Sequence, residues 1–152
     1  MIAIDKPTLV DVSQIKELVD EFARRGDILP RAAEDIAERI REFAVVRIES
    51  RVVATSSLRL YYPHLAEIRT IVVKEEYQKR GFASALIEYE LNEARSLGVK
   101  EVFALTFKSA FFLKLGFKLI DKSELPQKKI WEDCIKCPLF PECREEAVIM
   151  KL

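Results

Sequence analysis

The 152-residue sequence has few of the residues on which several classes of protein depend. It contains one histidine and four glycines, and its 25 basic and 25 acidic residues cancel. The lack of a basic excess argues against nucleic acid or a membrane surface as the main partner. No apolar run approaches the roughly 18 residues of a transmembrane helix, and the N-terminus lacks a signal-peptide core. We therefore expect a cytoplasmic protein.

The apolar periodicity predicts one domain of class α/β (α+β), with a mixed central sheet flanked by helices on both faces. A chain of this length can bury roughly 70% of its unfolded surface. Asp11 and Gln14 can form a capping box for the first helix, Gly26 ends it, and Pro30 permits a second. The predicted order is β-α-α-β-β-β-α-β-α-β-β, with strands at 2–5, 44–49, 52–60, 66–73, 101–106, 117–121 and 146–151.

The most informative segment is Gln78-Lys79-Arg80-Gly81-Phe82-Ala83, followed by Ser84. It lies between an apolar run at 68–73 and a helical pattern that begins at residue 83. A strand, a glycine loop and a helix N-terminus in this order direct backbone N–H groups at one point, which favours a phosphate. By itself the segment is equally compatible with an ordinary strand-to-helix turn.

Two motifs together point to a family. The form Gln-x-x-Gly-x-Ala, after a strand ending in Val72-Val73, resembles the acyl-CoA pyrophosphate loop of the GNAT superfamily of N-acetyltransferases. The segment 111–117, which ends in Gly-Phe, resembles a later signature of that superfamily. The resemblance implies the GNAT acyl-CoA N-acyltransferase fold and acetyl-CoA as cosubstrate. It implies that the cosubstrate is held by Ile71, Val72, Val73, Gln78, Lys79, Arg80, Gly81, Phe82, Ala83, Ser84 and Phe112.

A subfamily is also visible. The segments 29–31, 66–69, 105–107, 112–117, 125–126 and 130–138 resemble, in this order, the short amino-acid N-acetyltransferases of the N-acetylglutamate synthase family. The resemblance implies acetyl transfer to the α-amino group of an amino acid, with L-glutamate favoured, as the first step of arginine biosynthesis. Longer members carry an amino-acid-kinase-like domain that binds arginine. We expect residues 1–152 to form a single GNAT domain without that domain.

Glu67 is the predicted base that accepts the proton of the amine. Strand alternation is expected to place Glu67, Arg69 and Ile71 on one face. A carboxylate on a central strand is rarely buried without a role, although a structural ion pair with Arg69 or Arg31 would also explain it. The backbone N–H of Ile71 or Val72 is the candidate that binds the acetyl oxygen.

Arg31 and Arg69 are predicted to bind carboxylates of the acceptor, since a guanidinium forms a planar fork for such anions. Arg31 follows Pro30 at the expected start of a helix, and the resemblance places Leu29 and Arg31 at substrate-binding positions. For Arg69 an internal salt bridge is an equal alternative. Lys108 and Lys128 are weaker candidates, because a solvated lysine is the simpler interpretation.

One position departs from the family pattern. Many GNAT enzymes have a tyrosine on the short helix that protonates the leaving thiolate, and Phe112 stands there instead. Thr106, near the end of the preceding strand, is a candidate for orienting a water, or it only fills the strand. The thiol of CoA is acidic enough to leave largely as thiolate, so that an acid is dispensable.

Cys134, Cys137 and Cys143 form a cluster with three open interpretations. Reduced thiols, a disulfide, or a zinc site completed by His64 are all compatible with the spacing, and we predict no catalytic metal.

Other functions also stay open at this stage. They are a GNAT enzyme for another small amine or a protein N-terminus, and a CoA-binding regulatory module without catalysis. A homodimer is compatible with the sequence.

Overall fold

The computed structural model of the chain describes residues 2–126 and 145–152. Its helices are α1 (Val12–Arg24), α2 (Ala33–Glu38), α3 (Phe82–Ser96) and α4 (Ser109–Lys114). Its strands are β1 (Phe43–Ile48), β2 (Arg51–Tyr61), β3 (Leu65–Val73), β4 (Glu101–Thr106), β5 (Lys118–Ile120) and β6 (Glu146–Lys151). Among these residues, no helix combines the length and the apolar character that crossing a membrane requires.

The strands form one six-stranded sheet in the order β1-β2-β3-β4-β6-β5. The β3–β4 pair is parallel, and the other neighbouring pairs are antiparallel. The predicted mixed sheet is therefore confirmed. The parallel pair requires a crossover connection, and α3 supplies it.

Helices cover both faces of the sheet, as predicted. Along β1, alternate residues enter different cores: Val45 packs with α1, whereas Val46 packs with Leu86 of α3. The apolar stripe of α1 has the spacing of one helix face, with Ile15, Leu18, Val19 and Phe22 all buried. The larger core lies under α3 and α4 and includes Ile87, Leu91, Phe112 and Phe117.

The predicted strand at residues 2–5 is wrong. Asp5 forms an isolated bridge with Val45, through two backbone hydrogen bonds of 2.9 Å. The next pairing in one direction would use Pro7, which has no N–H to donate. In the other direction β1 changes register between Val46 and Arg47. In the described residues, the pairing of this segment with β1 is limited to the one bridge.

The predicted capping box of α1 is also wrong. Asp11 directs its carboxylate back to the N–H of Thr8 (2.8 Å) and to Arg47 (2.7 Å). Gln14 Oε1 instead accepts a 2.7 Å hydrogen bond from the N–H of Val52, at the start of β2. Asp11 therefore closes the turn before α1, where it forms a capping box with Thr8, and Gln14 ties α1 to β2.

Candidate active site

The centre of the sheet opens where β3 leaves β4. Their parallel pairing comprises three residue pairs, from Leu65 with Glu101 to Glu67 with Phe103. Beyond that point β4 continues to pair with β6, up to Thr106 and Glu146. A wedge therefore opens between the C-terminal halves of β3 and β4, which is where ligands of α/β sheets commonly bind.

A bulge in β3 shapes one wall of this wedge. Ser57 of β2 pairs with Arg69, and Thr55 pairs with Val72, so β3 has one residue more than β2 over this interval. Thr70 has a φ of 55° at the bulge. The expected common face of Glu67, Arg69 and Ile71 is therefore wrong. The bulge interrupts the alternation, and the Ile71 side chain packs in the α3 core.

A cleft of about 1150 Å³ occupies the wedge and extends between the segment before α2 and the N-terminus of α3. Every residue predicted to act in catalysis, cosubstrate binding or acceptor binding in the described ranges lines this cleft, except Arg80, whose guanidinium lies 5.3 Å from the ring centre of Tyr77. The predicted residues in the wall are Leu29, Arg31, Glu67, Arg69, Ile71, Val72, Val73, Gln78, Lys79, Gly81, Phe82, Ala83, Ser84, Thr106, Lys108 and Phe112.

The loop before α3 has the backbone geometry of an anion site. Lys79 and Gly81 have φ values of 63° and 86°, which bend the chain sharply into the helix. Gln78 Nε2 fixes the loop by donating a 2.9 Å hydrogen bond to the carbonyl of Val73. The first helical bond runs from the N–H of Ala85 to the carbonyl of Gly81, at 3.0 Å. The N–H groups of residues 82–84 come before this bond and have no acceptor within the helix, so they can bind phosphate oxygens.

Glu67 is buried at the apex of the wedge, with 2% of its surface exposed. The hydroxyl of Tyr61 donates a 3.0 Å hydrogen bond to Oε1 of Glu67. The ring of Tyr61 lies on Phe103, with centroids 5.7 Å apart. The carboxylate thus has a fixed orientation and lines the cleft, which is the arrangement that a base requires.

Arg31 is also buried, and its guanidinium is held on several sides. Nε donates to Asp35 Oδ2 at 2.8 Å, Nη1 donates to Thr70 Oγ1 at 3.1 Å, and the group lies 5.0 Å from the ring centre of Phe43. In the described part of the chain, no acceptor reaches the buried Nη2. Burial lowers the pKa of Arg31, and the Asp35 hydrogen bond opposes this effect.

Asp35 connects Arg31 to a second arginine. Its Oδ1 accepts a 3.2 Å hydrogen bond from Nε of Arg39, which also binds Glu42 at 3.1 Å. Burial by itself raises the pKa of Asp35, but the hydrogen bond and charge of Arg31, with the charges of Arg39 and Arg69, bring it below the ordinary value. Asp35 is therefore ionised at neutral pH and orients Arg31.

The far wall of the cleft comes from β4 and α4. Thr106 Oγ1 accepts a 2.8 Å hydrogen bond from the N–H of Lys108, so this hydroxyl closes the turn into α4. Phe112 is buried and packs edge-on against Phe117 at 5.1 Å. This position therefore supplies an apolar wall and no proton donor. Lys108 is exposed at the rim.

Sequence reasoning missed three residues of the site: Tyr61, Asp35 and Thr70. A signal existed for Asp35, because it lies four residues after Arg31 and four before Arg39, the spacing of helical ion pairs. Nothing in the sequence indicates a left-handed conformation for Thr70, since β-branched residues rarely adopt it.

The predicted cysteine cluster and Lys128 lie outside the described residues. Within the described ranges, no group of three or more histidine, cysteine, aspartate or glutamate side chains could hold a metal ion.

The sequence matches known acetyltransferases. Residues 12–117 match the model of the acetyltransferase (GNAT) family. An uncharacterised N-acetyltransferase of Chlorobaculum tepidum is 38% identical over 144 residues, which cover 95% of this chain and 92% of that protein. An amino-acid acetyltransferase of Mycobacterium tuberculosis is 32% identical over 127 residues, covering 82% of this chain and 72% of that protein.

Solved structures show the same fold. The N-acetylglutamate synthase of Neisseria gonorrhoeae, complexed with coenzyme A and N-acetyl-glutamate, superposes with a TM-score of 0.90 at 20% identity. The match covers all of this chain and 35% of that one. The protein Rv2747 of M. tuberculosis, in complex with CoA, gives a TM-score of 0.86 at 25% identity, with 99% of both chains covered.

Proposed function

The chain belongs to the acetyltransferase (GNAT) family, and on that premise we propose that it transfers the acetyl group of acetyl-CoA to the α-amino group of an amino acid, with L-glutamate as the favoured acceptor. The relatives named amino-acid acetyltransferase and the synthase solved with coenzyme A and N-acetyl-glutamate support this choice. Acetyl-CoA supplies an activated thioester, and the residues of the cleft hold and orient both reactants.

One observation carries the proposal. The buried side chains of Arg31 and Glu67 line the same cleft. Nη2 of Arg31 has no acceptor in the described part of the chain. A buried donor without a partner costs about 1–3 kcal/mol, and more when it is charged. A carboxylate of the acceptor would remove that cost. An uncharged amine would not.

The cosubstrate is proposed to lie along the loop and β3. The amides of residues 82–84, with Lys79 beside them, would bind the pyrophosphate. The edge of β3 that diverges from β4 is proposed to bind the pantetheine arm through backbone groups of Ile71, Val72 and Val73. The N–H of Ile71 or Val72 is the proposed donor to the acetyl oxygen, on which negative charge develops during attack.

Glu67 is proposed to take the proton of the acceptor ammonium, directly or through water. The amine nitrogen then forms a bond to the acetyl carbon, the carbon–sulfur bond breaks, and the nitrogen releases its second proton to solvent, which leaves the neutral amide. The electron pair of the carbon–sulfur bond leaves with sulfur as the thiolate of CoA. Phe112 gives no proton to this thiolate, and Thr106 is proposed only to orient a water.

Arg31 and Arg69 are the proposed carboxylate partners, with Leu29 and Lys108 at the edge of the acceptor site. The positive charge of Arg69 contributes to lowering the pKa of Arg31, so the two guanidinium groups lie close to each other. Two guanidinium groups in one cleft favour an acceptor with two carboxylates, such as glutamate, over one with a single carboxylate.

A substrate panel tests the reaction class. Thiol release from acetyl-CoA should be fastest with L-glutamate among amino acids, and slow with a polyamine or a peptide N-terminus. Faster release with the last two would assign the enzyme to another acceptor class. CoA binding without release for any amine would favour a regulatory module. A role in arginine biosynthesis, a cytoplasmic location, a single-domain organisation and a homodimer stay predictions.

A further inference from the structure

Thr70 has a backbone conformation that its side chain disfavours. Its φ of 55° lies in the left-handed region, which a β-branched residue adopts only under constraint. Such residues persist when their surroundings fix them, and they occur often at functional sites. Thr70 lines the cleft, between Arg69 and Ile71 on β3.

Two side-chain hydrogen bonds meet at this bulge. Arg31 Nη1 donates to Thr70 Oγ1 at 3.1 Å. On the neighbouring strand, the hydroxyl of Ser57 donates to the carbonyl of Arg69 at 3.1 Å. The first bond spans 39 residues of sequence and ties the segment before α2 to the middle of the sheet. Arg31 is thus attached to the strand that carries the proposed oxyanion donor.

The same bond limits how Arg31 can meet an anion. Asp35 occupies Nε and Thr70 occupies one N–H of Nη1, so both of these positions are already used. The remaining donors are both N–H groups of Nη2 and the second N–H of Nη1. A carboxylate must therefore use Nη2, alone or together with the second N–H of Nη1. Thr70 and Asp35 together leave Nη2 as the main donor to the acceptor.

We propose that Thr70 is a positioning residue that holds Arg31 in the orientation in which its Nη2 binds a carboxylate of the acceptor. This inference rests on the proposed function. Without this hydrogen bond to Thr70, the guanidinium keeps only Asp35 as a hydrogen-bond partner in the described part of the chain, and its orientation is less restricted.

Three substitutions separate this role from a structural one. Thr70→Val keeps the shape and the β-branch but removes the acceptor for Arg31. We expect its KM for glutamate to rise about tenfold, the usual effect of losing a hydrogen bond to a charged group, with an unchanged KM for acetyl-CoA. Thr70→Ser keeps the hydroxyl and should restore the wild-type KM. Thr70→Gly should raise the glutamate KM like valine, while its melting temperature equals or exceeds that of wild type, because glycine accepts a positive φ.

The wild-type enzyme is measured first, with glutamate and acetyl-CoA. Absence of transfer to any amino acid would overturn the proposed function, and with it the role of Thr70. If wild type is active and the valine and serine variants have equal glutamate KM values, the Thr70 inference alone is overturned. A glycine variant with wild-type KM would overturn it as well, and that variant guards against misfolding of the valine protein.

Discussion

The hydroxyl of Tyr61 donates a 3.0 Å hydrogen bond to Oε1 of Glu67, and both side chains are buried. Tyr61 and Glu67 lie on adjacent antiparallel strands, β2 and β3, and the tyrosine ring is fixed by its contact with Phe103. The bond fixes the direction of the carboxylate at the apex of the cleft.

Glu67→Gln should lower kcat by about 100-fold or more at neutral pH, the usual contribution of a general base. The amide keeps the shape of the side chain and its acceptor for Tyr61. The defect should shrink as pH rises, because more of the acceptor is already the free amine. Glu88→Gln, an exposed acid-to-amide change on α3, serves as the control. Equal kcat values for both variants at pH 7 would assign Glu67 to structure.

Arg31→Ala should raise the KM for glutamate about thirtyfold, or roughly 2 kcal/mol for a lost charged hydrogen bond. The KM for acetyl-CoA should not change. Arg31→Lys should recover only part of the loss, since an ammonium cannot form a planar fork. Arg25→Ala is the matched control, because Arg25 is an arginine that binds Glu75 at the surface. An unchanged glutamate KM in the alanine variant would remove Arg31 from the acceptor site.

The same variant indicates which carboxylate Arg31 holds. If it binds the side-chain carboxylate, Arg31→Ala should remove most of the preference for glutamate over glutamine. If it binds the α-carboxylate, the KM values of both acceptors should rise by the same factor. The ratio of the two KM values in wild type and variant distinguishes these cases.

Gly81→Val should weaken CoA binding through the backbone of the loop. A Cβ at Gly81 meets its nearest atom at 3.9 Å, so space is sufficient, but the φ of 86° is unfavourable for valine. Gly98→Val is a closely matched control, because Gly98 has a φ of 82° with open space and lies just beyond the other end of α3. Both proteins should lose similar stability, and only Gly81→Val should lose CoA affinity by calorimetry. A comparable loss in both would argue against the loop as the pyrophosphate site.

Glu90 should make stability depend on pH. Burial raises its pKa to about 7; the hydrogen bond from Ser56 and the charge of Lys6 oppose the shift, and Glu93 and Glu42 add to it. The folded state therefore binds a proton more tightly than the unfolded state, whose ordinary value is 4.5. This contribution is complete below the unfolded value and is lost as pH rises toward 7.

Denaturant unfolding of wild type and Glu90→Gln at several pH values measures the effect. The glutamine can still accept the hydrogen bond from Ser56, and it does not ionise. The variant should gain stability relative to wild type as pH rises from 5 to 8, by up to about 3 kcal/mol. A constant difference across that range would show that Glu90 is ionised throughout.

Most of the fold could be predicted from local patterns. The strands β4 and β6 lie at the predicted residues, 101–106 and 146–151, because each has a clear apolar pattern. The loop before α3 could also be predicted, since a strand, a glycine and a helix N-terminus follow one another in the sequence. The failed strand at 2–5 shows the limit of the method, because Pro7 and the register change at Arg47 act on the pairing and not on the local pattern.

The sequence was sufficient to predict which residues line the site, but not the directions in which their side chains point. The sequence indicates that Glu67, Arg69 and Ile71 belong to one strand, but alternation fails at Thr70, where long-range hydrogen bonds impose the bulge. Threonine favours extended strands, so its left-handed backbone at this point has no local signal. The contact between Tyr61 and Glu67 likewise depends on the pairing of β2 with β3.

The most direct test of the account is the identity of the product formed from acetyl-CoA and L-glutamate. The reaction mixture is analysed by mass spectrometry for acetylated glutamate, together with the release of free thiol. The account predicts N-acetyl-glutamate and CoA in equal amounts, with a higher kcat/KM for glutamate than for glutamine. Thiol release without an acetylated amino acid, or no release from a protein that binds CoA, would contradict it.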